Sequence, residues 1–571
     1  MQSPAPPRLN RLDLARPSLA PSPIRGMVIP EPVSDQDVLD CVSSSATPLN
    51  PSRRRTGIFC VLLAAIVFAT HIPVWGNWIA LSPDSFMFLT AARSLVQTGA
   101  LPPERPQCPP GFFYVLAPFL RFGAMPWTAI RIGASIASAA AVMMTYVLLR
   151  RRLGDRGALV AGLAVAASGV LLQQSATLLS ELAYLPLSLL ALWLIGRLHG
   201  SLREAGPIRM WAALAGVATA ASLLVRSIGI GLLIAGAAMC LLQIRVTPRR
   251  AILATLLFAG PTILALGAWE LRQSAYPPSR QYSDIWSQPR SNEGTNATGV
   301  ALQAERFIRF GPARLDALKS LLIPEHVGWR FFQSPWNRPT SFAIGGLLIA
   351  WCAARLVKRP GAEDVYFLIT LGIISVWPYQ EGMRLAAPLL PIAWCYVVEI
   401  GSAARQTMLR AGRIRLAKGA VAATILIAAS AAAMERVHLQ GSLDIAAVKS
   451  SARLAAGQNL ANWLDSRVLA GAELVCVTDQ QSDAKLTAIA ANYLGRRAIA
   501  SFRDVDGPEL QAVLREFRHK GPLLVESSLL VGQASLRPIA SRPSPTAVVS
   551  QATGGFTLCS PNQIDHWHAA R

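Results

Sequence analysis

Residues 127–172 read WTAIRIGASIASAAAVMMTYVLLRRRLGDRGALVAGLAVAASGVLL. An apolar run, Trp127–Leu149, meets Arg150, Arg151, Arg152 and Arg156, and a second run, Ala158–Leu172, follows at once. About 20 apolar residues in a helix cross a bilayer, so the stretch reads as two membrane spans joined by a basic turn. The pattern extends in both directions. Before it lies Ile58–His71; after it come Leu178–Ile195, Trp211–Val225, Ile228–Ile244, Ala251–Trp269, Phe342–Ala354, Val365–Pro378, Leu385–Ile400 and Ala420–Met434. The count is about eleven spans. Gly and Ala are frequent inside them, as in helices that pack closely in lipid.

The loops alternate in charge. Arg53, Arg54 and Arg55 precede the first span, and Arg197, Arg203 and Arg209 follow the fourth. Arg245, Arg249 and Arg250 follow the sixth; Arg355, Lys358 and Arg359 the eighth; Arg405, Arg410, Arg413, Arg415 and Lys418 the tenth. The intervening turns are nearly devoid of basic residues: Gln173–Thr177 has none, and Arg226 and Arg384 stand alone. Short basic loops stay on the cytoplasmic side. The expected topology is a multi-pass protein of the bacterial inner membrane, amino terminus cytoplasmic and carboxyl terminus periplasmic.

Composition agrees. Of 571 residues, 52% are hydrophobic and 15% charged, against about 25% charged in an average soluble domain. Mean hydropathy is +0.38. An ordinary soluble enzyme and a disordered chain are thereby excluded. The formal net charge of +22 is spread over separate loops and forms no continuous face for nucleic acid.

Three parts follow from this reading. Residues 1–56, rich in Pro and Ser, form a disordered cytoplasmic tail. Residues 57–434 form the transmembrane domain, with long outer loops at 75–126 and 272–340. Residues 435–571 mix helical text with short strand-like runs, including Glu473–Thr478, Pro522–Glu526, Thr546–Val549 and Gly555–Cys559, and read as a small periplasmic α/β domain. The fold class is therefore an all-α polytopic membrane protein with a small α/β appendage.

The first outer loop runs WGNWIALSPDSFMFLTAARSLVQTGALPPERPQCPPGFFYVLAPFLRFG from Trp75. Phe88, Ala91, Ala92 and Leu95 recur at helical spacing, so Ser85–Thr98 reads as an amphipathic helix along the interface. Asp84 opens it, either as a helix cap or as a functional carboxylate. Glu181 stands early in the fourth span, on the same side as Asp84. A carboxylate at the edge of an apolar span is more often functional than not; the alternative is a side chain that snorkels to the interface.

At this point the sequence resembles the GT-C superfamily of polytopic glycosyltransferases. The likeness is to bacterial protein mannosyltransferases and lipid A aminoarabinose transferases, family 39-like proteins. It rests on Ser82-Pro83-Asp84, Ala92-Arg93-Ser94-Leu95, Pro109-Pro110-Gly111, Ala117-Pro118-Phe119, Arg151-Arg152-Leu153-Gly154 and Ser180-Glu181-Leu182. It continues in Leu224–Gly229, similar to a basic turn between spans five and six, and in Gly382–Pro391, similar to a late segment with one Arg and spaced prolines. The likeness covers roughly residues 57–400. Many relatives carry two adjacent acids in the first loop; here Ser85 follows Asp84.

The resemblance implies transfer of a sugar from a polyprenyl-phosphate donor on the periplasmic side. The acceptor would be a glycan, lipid or protein, and the membrane lipid itself is a partner. The chemistry asks for matching parts. An acceptor hydroxyl needs a base, and Asp84 is assigned that role. The departing phosphate needs cationic donors, for which Arg384 and Arg226 are candidates unless they are interfacial arginines that snorkel. One displacement at the anomeric carbon inverts its configuration. Glu181 would orient the acceptor, support the charge state of Asp84, or hold a divalent metal ion with it. Arg93, Tyr282, Trp286 and Trp329 are candidate substrate contacts, the aromatics by stacking on sugar, and His326 with Glu325 is a further candidate metal pair. The rival reading is a transporter or flippase for a lipid-linked or envelope substrate. Such a protein would place polar groups near mid-membrane and often shows repeated halves; no halves repeat here.

Overall fold

The computed structural model describes residues 51–72, 83–101, 109–122, 127–204, 206–275, 284–287, 289, 295–323, 337–378, 383–411 and 413–416. Beyond these it describes residues 455, 457–462, 474–478, 499–504, 523–526 and 556–559. The chain divides at Arg55/Thr56, and the tail expected over residues 1–56 lies almost wholly outside the described residues.

In chain order the helices are α1 (Pro51–His71), α2 (Pro83–Thr98), α3 (Gly111–Leu120), α4 (Trp127–Ala167), α5 (Gly169–Ala176), α6 (Glu181–Arg203), α7 (Ile208–Val225) and α8 (Ile230–Leu241). They continue with α9 (Pro248–Gln273), α10 (Asp284–Ser287), α11 (Gly299–Leu322), α12 (Asn337–Lys358), α13 (Ala362–Ser375), α14 (Met383–Ala386) and α15 (Leu390–Arg410). Seven helices among the described residues are long and apolar enough to cross a membrane. This is fewer than the eleven spans expected, for identifiable reasons. Helices α8 and α13 have only 12 and 14 residues, and the run Ala420–Met434 lies outside the described residues.

The remaining difference is α4, a 41-residue element holding two of the expected runs. It breaks at Gly154, where φ is +69°, a left-handed conformation that costs glycine nothing. The break reverses the chain. A Cβ placed on Gly162 would lie 3.8 Å from Cβ of Tyr146, whereas 16 residues of straight helix would separate them by about 24 Å. Asp155, just past the turn, accepts from Tyr146 Oη at 3.1 Å and pairs with Arg150.

That turn belongs to a buried ionic cluster. Arg152 donates Nε and Nη2 to the two oxygens of Glu399 at 2.6 and 2.7 Å, and Nη1 to Asp364 at 3.0 Å. Tyr396 Oη donates to Asp364 at 2.9 Å and Trp351 Nε1 to Glu399 at 2.8 Å. The cluster ties α4, α12, α13 and α15 together at one end of the bundle.

Around these ends the core is apolar. Small residues set its closest contacts: a Cβ on Gly216 of α7 would sit 2.4 Å from the Phe258 carbonyl of α9, an approach typical of membrane helices.

Within the long second loop, 24 residues form α11. Its buried stripe is Leu302, Arg306, Phe310, Arg314, Leu318 and Leu321. The spacing is helical, but two members are arginines, so an apolar pattern does not show it.

Near the carboxyl end, four strands form one sheet: β1 (Leu474–Thr478), β2 (Ile499–Asp504), β3 (Leu523–Glu526) and β4 (Phe556–Cys559), in the order β2-β1-β3-β4. The two pairs involving β1 are parallel, and β3 pairs β4 antiparallel, Leu524 opposite Leu558. Strand β2 was not anticipated. The run Thr546–Val549 lies outside the described residues.

Candidate active site

Four helix ends converge opposite the Arg152 cluster. Asp84 lies in the first turn of α2, one residue inside the helix instead of capping it. Glu181 is the first residue of α6. Both carboxylates thus stand where the helix dipole favours negative charge. Arg226 terminates α7 in an extended conformation, and Arg384 lies on α14. From Arg384 to Glu399 is 15 residues, roughly 22 Å at helical rise, so the two ionic clusters occupy opposite ends of the bundle.

The four side chains form one hydrogen-bonded unit. Arg384 donates Nη1 to Asp84 Oδ2 at 2.5 Å and Nε to Glu181 Oε1. Arg226 pairs with the same Glu181 oxygen and reaches Ser180 Oγ at 3.4 Å. Ser180 Oγ in turn donates to the second Glu181 oxygen at 3.3 Å. Exposure separates the two acids: the Glu181 side chain is 1% exposed and that of Asp84 41%. Glu181 is the buried counter-ion of two arginines, while Asp84 reaches the surface.

Two local features hold this geometry. Ser85, fully buried, donates Oγ to the Thr177 carbonyl at 2.6 Å. That carbonyl precedes Leu178, which has φ +49°, a left-handed conformation that costs a non-glycine residue about 1–3 kcal/mol. Ser85 therefore ties the start of α2 to the strained turn that launches Glu181. Gly111 is the second feature. A Cβ there would meet the Leu224 carbonyl group at 2.7 Å, so α3 lies directly against the backbone that leads into Arg226.

Beside the cluster lies a cavity of about 430 Å³. Its wall is mostly apolar, from Leu266, Trp269, Ile374 and Trp377, with Arg226 at one side. Trp286 of α10 also lines it and packs against Trp377, ring centroids 5.6 Å apart. Arg314 of α11 fixes that wall: its Nε donates to the Ile374 carbonyl at 2.8 Å and its Nη2 to the Trp377 carbonyl at 2.9 Å.

Comparison with known proteins places this architecture. Residues 107–268 match the sequence model of the dolichyl-phosphate-mannose-protein mannosyltransferase family, a stretch holding Glu181 and Arg226. The chain is similar in structure to ArnT from Cupriavidus metallidurans in the apo state, with TM-score 0.53 and 12% identity over 90% of this chain and 99% of that one. The same protein bound to undecaprenyl phosphate gives 0.52 and 11%, over 88% and 97%. The chain has the GT-C fold. The archaeal oligosaccharyltransferase AglB from Archaeoglobus fulgidus, in complex with an inhibitory peptide and a dolichol-phosphate, gives 0.49 and 12%, over 88% and 74%. No curated protein sequence matches.

Within this GT-C chain, the site residues expected from sequence divide sharply. Asp84, Glu181, Arg226 and Arg384 come together, and Trp286 lines the same cavity as Arg226. Arg93 stands apart from Asp84 around its helix. It is nine residues past Asp84 on α2, half a helical revolution around the axis, and so lies on the opposite face. Tyr282, Trp329, His326 and Glu325 lie outside the described residues.

A divalent cation at the cluster would compete with the arginines. The two carboxylates face two guanidinium groups, and a metal between Asp84 and Glu181 would have to displace Arg384. Among the described residues, no three His, Cys, Asp or Glu side chains are grouped as a metal site. Ser85, Gly111, Arg314 and Trp377 were not anticipated as site residues. Gly111 alone carried a signal, as the last residue of the Pro-Pro-Gly motif.

Proposed function

We propose that the protein is an integral-membrane glycosyltransferase that moves a sugar from a polyprenyl-phosphate donor to an acceptor on the periplasmic side, with inversion. The observation that carries this reading is the Asp84–Arg384–Glu181–Arg226 unit beside an apolar cavity that Arg226 lines. The guanidinium groups match phosphate oxygens, the cavity suits the isoprenoid next to that phosphate, and Asp84 lies at the surface, on the side from which an acceptor would arrive. Asp84 takes the acceptor proton as the hydroxyl oxygen bonds to the anomeric carbon. The electron pair of the broken bond passes to the lipid phosphate, whose growing charge Arg384 and Arg226 stabilise. Trp286 and Trp377 offer aromatic faces for the sugar or the first isoprene units. Glu181 keeps the arginines in place. The acceptor is a glycan, lipid or protein.

The matched segment of the family model supports this activity, as does the shared fold with a protein seen holding undecaprenyl phosphate. The alternation of basic loops supports a cytoplasmic amino terminus and a periplasmic residue 435–571 segment. The deciding experiment is Asp84→Asn. It should insert normally and lose transfer from a polyprenyl-phosphate sugar by about 10²–10⁴-fold, the usual share of a general base. Near-normal transfer would remove Asp84 from the chemistry.

A further inference from the structure

We infer that the donor phosphate and Asp84 compete for Arg384, so that donor binding is the event that frees the base. The inference rests on the reading of Arg384 as a phosphate clamp and goes one step beyond it. In the structure both inward edges of the Arg384 guanidinium are occupied, Nη1 by Asp84 and Nε by Glu181. The Asp84 oxygen held by Nη1 is not open to an acceptor hydroxyl. Of the two carboxylates only one can leave cheaply. Glu181 is 1% exposed and shared with Arg226, whereas Asp84 is 41% exposed. An incoming phosphate oxygen therefore takes the place of Asp84.

Charge supports this order. Two arginines and two carboxylates sum to zero. A phosphodiester carries one negative charge, so exchanging it for Asp84 leaves Arg226, Arg384, Glu181 and phosphate again neutral. Transfer then forms the bond from acceptor oxygen to anomeric carbon and breaks the bond from that carbon to the phosphate oxygen. The proton passes to Asp84, and the lipid phosphate, now a monoester, carries about −1.5 to −2. When Asp84 releases that proton to water, its carboxylate again competes for Arg384 and takes its place as the product leaves. Donor must bind before acceptor, and the cycle resets itself.

The test is the affinity of the full-length protein, in detergent, for polyprenyl phosphate carrying no sugar. Asp84→Asn should bind it about tenfold or more tightly than the unmodified protein, the worth of one charge-assisted hydrogen bond no longer displaced. Glu305→Gln removes an exposed negative charge of α11 that does not line the cavity and should change affinity little. In an Arg384→Ala background the gain from Asp84→Asn should vanish. Unchanged or weaker binding by Asp84→Asn overturns the exchange, and so does a gain that persists without Arg384 or appears equally in Glu305→Gln. Asp84→Ala serves the same cycle if the Asn variant is not monodisperse. If Arg384→Ala alone binds as the unmodified protein does, the clamp itself is wrong. If it weakens binding while Asp84→Asn brings no gain, only the exchange fails.

Discussion

Arg384 and Glu181, 203 residues apart in sequence, are joined by a hydrogen bond from Nε to Oε1 at the point where α6 begins. The same oxygen pairs with Arg226, so one buried carboxylate neutralises two cations. Removing it should be felt in stability as well as activity. Glu181→Gln keeps the side-chain volume and one acceptor oxygen, and should lower transfer while the protein still folds. Glu181→Ala strips two largely buried guanidinium groups of their shared counter-ion, a loss of about 3–5 kcal/mol. Thermal unfolding in detergent distinguishes them. If Glu181→Ala melted as the unmodified protein does, Glu181 would not be the counter-ion that holds the site.

Arg384→Lys tests the planar fork. A lysine keeps the charge but is a single point donor, unable to serve Asp84 and Glu181 from two edges at once. Each charge-assisted hydrogen bond is worth about 1.5–3 kcal/mol, so donor use should fall by about 10- to 100-fold with expression unchanged. Initial rates against donor concentration measure it. Lysine activity equal to arginine would mean that charge alone matters at this position.

Much of this was legible in the sequence, and the illegible parts share a cause. Asp84, Glu181, Arg226 and Arg384 stood out because charge is scarce in apolar text and topology put all four on one side. Helix α11 was missed because Arg306 and Arg314 occupy its buried stripe, where a hydropathy reading sees polar loop. Membership of a motif says nothing about which face of α2 Arg93 occupies. The Ser85 contact was invisible for another reason: its partner is the backbone carbonyl of Thr177, which no side-chain pattern encodes. The turn at Gly154 was foreseen as a basic loop, but as a single left-handed residue it leaves no gap in the helical text.

Gly111→Ala probes how α3 supports the site. The added methyl would lie 2.7 Å from the Leu224 carbonyl carbon and oxygen, and backbone cannot yield as a flexible side-chain tip can. Overpacking of this kind costs about 1–3 kcal/mol. Here the strain falls on the residues that lead into Arg226. Transfer should drop while membrane insertion and oligomeric behaviour stay unchanged. A methyl tolerated without loss of rate would show that the approach of α3 to α7 is not needed for Arg226.

The Arg152 cluster should govern stability and leave the chemistry alone. It lies at the far end of the bundle from Arg384, and Asp364, its central acid, is fully buried. Arg152→Ala would strand Asp364 and Glu399 together, with only Arg355 nearby at 3.8 and 3.7 Å. Breaking a buried pair by removing one partner costs about 3–5 kcal/mol. Replacing the acid with its neutral isostere as well, in Arg152→Met with Asp364→Asn, should recover part of that loss because one stranded charge fewer remains. Thermal unfolding of the single and double variants measures the recovery. Transfer rates per folded molecule should match the unmodified protein in both, since no residue of the cluster touches Asp84, Glu181, Arg226 or Arg384. A lower rate per folded molecule would instead show that the two ends of the bundle are coupled through α13 and α15, the helices that run from one cluster to the other.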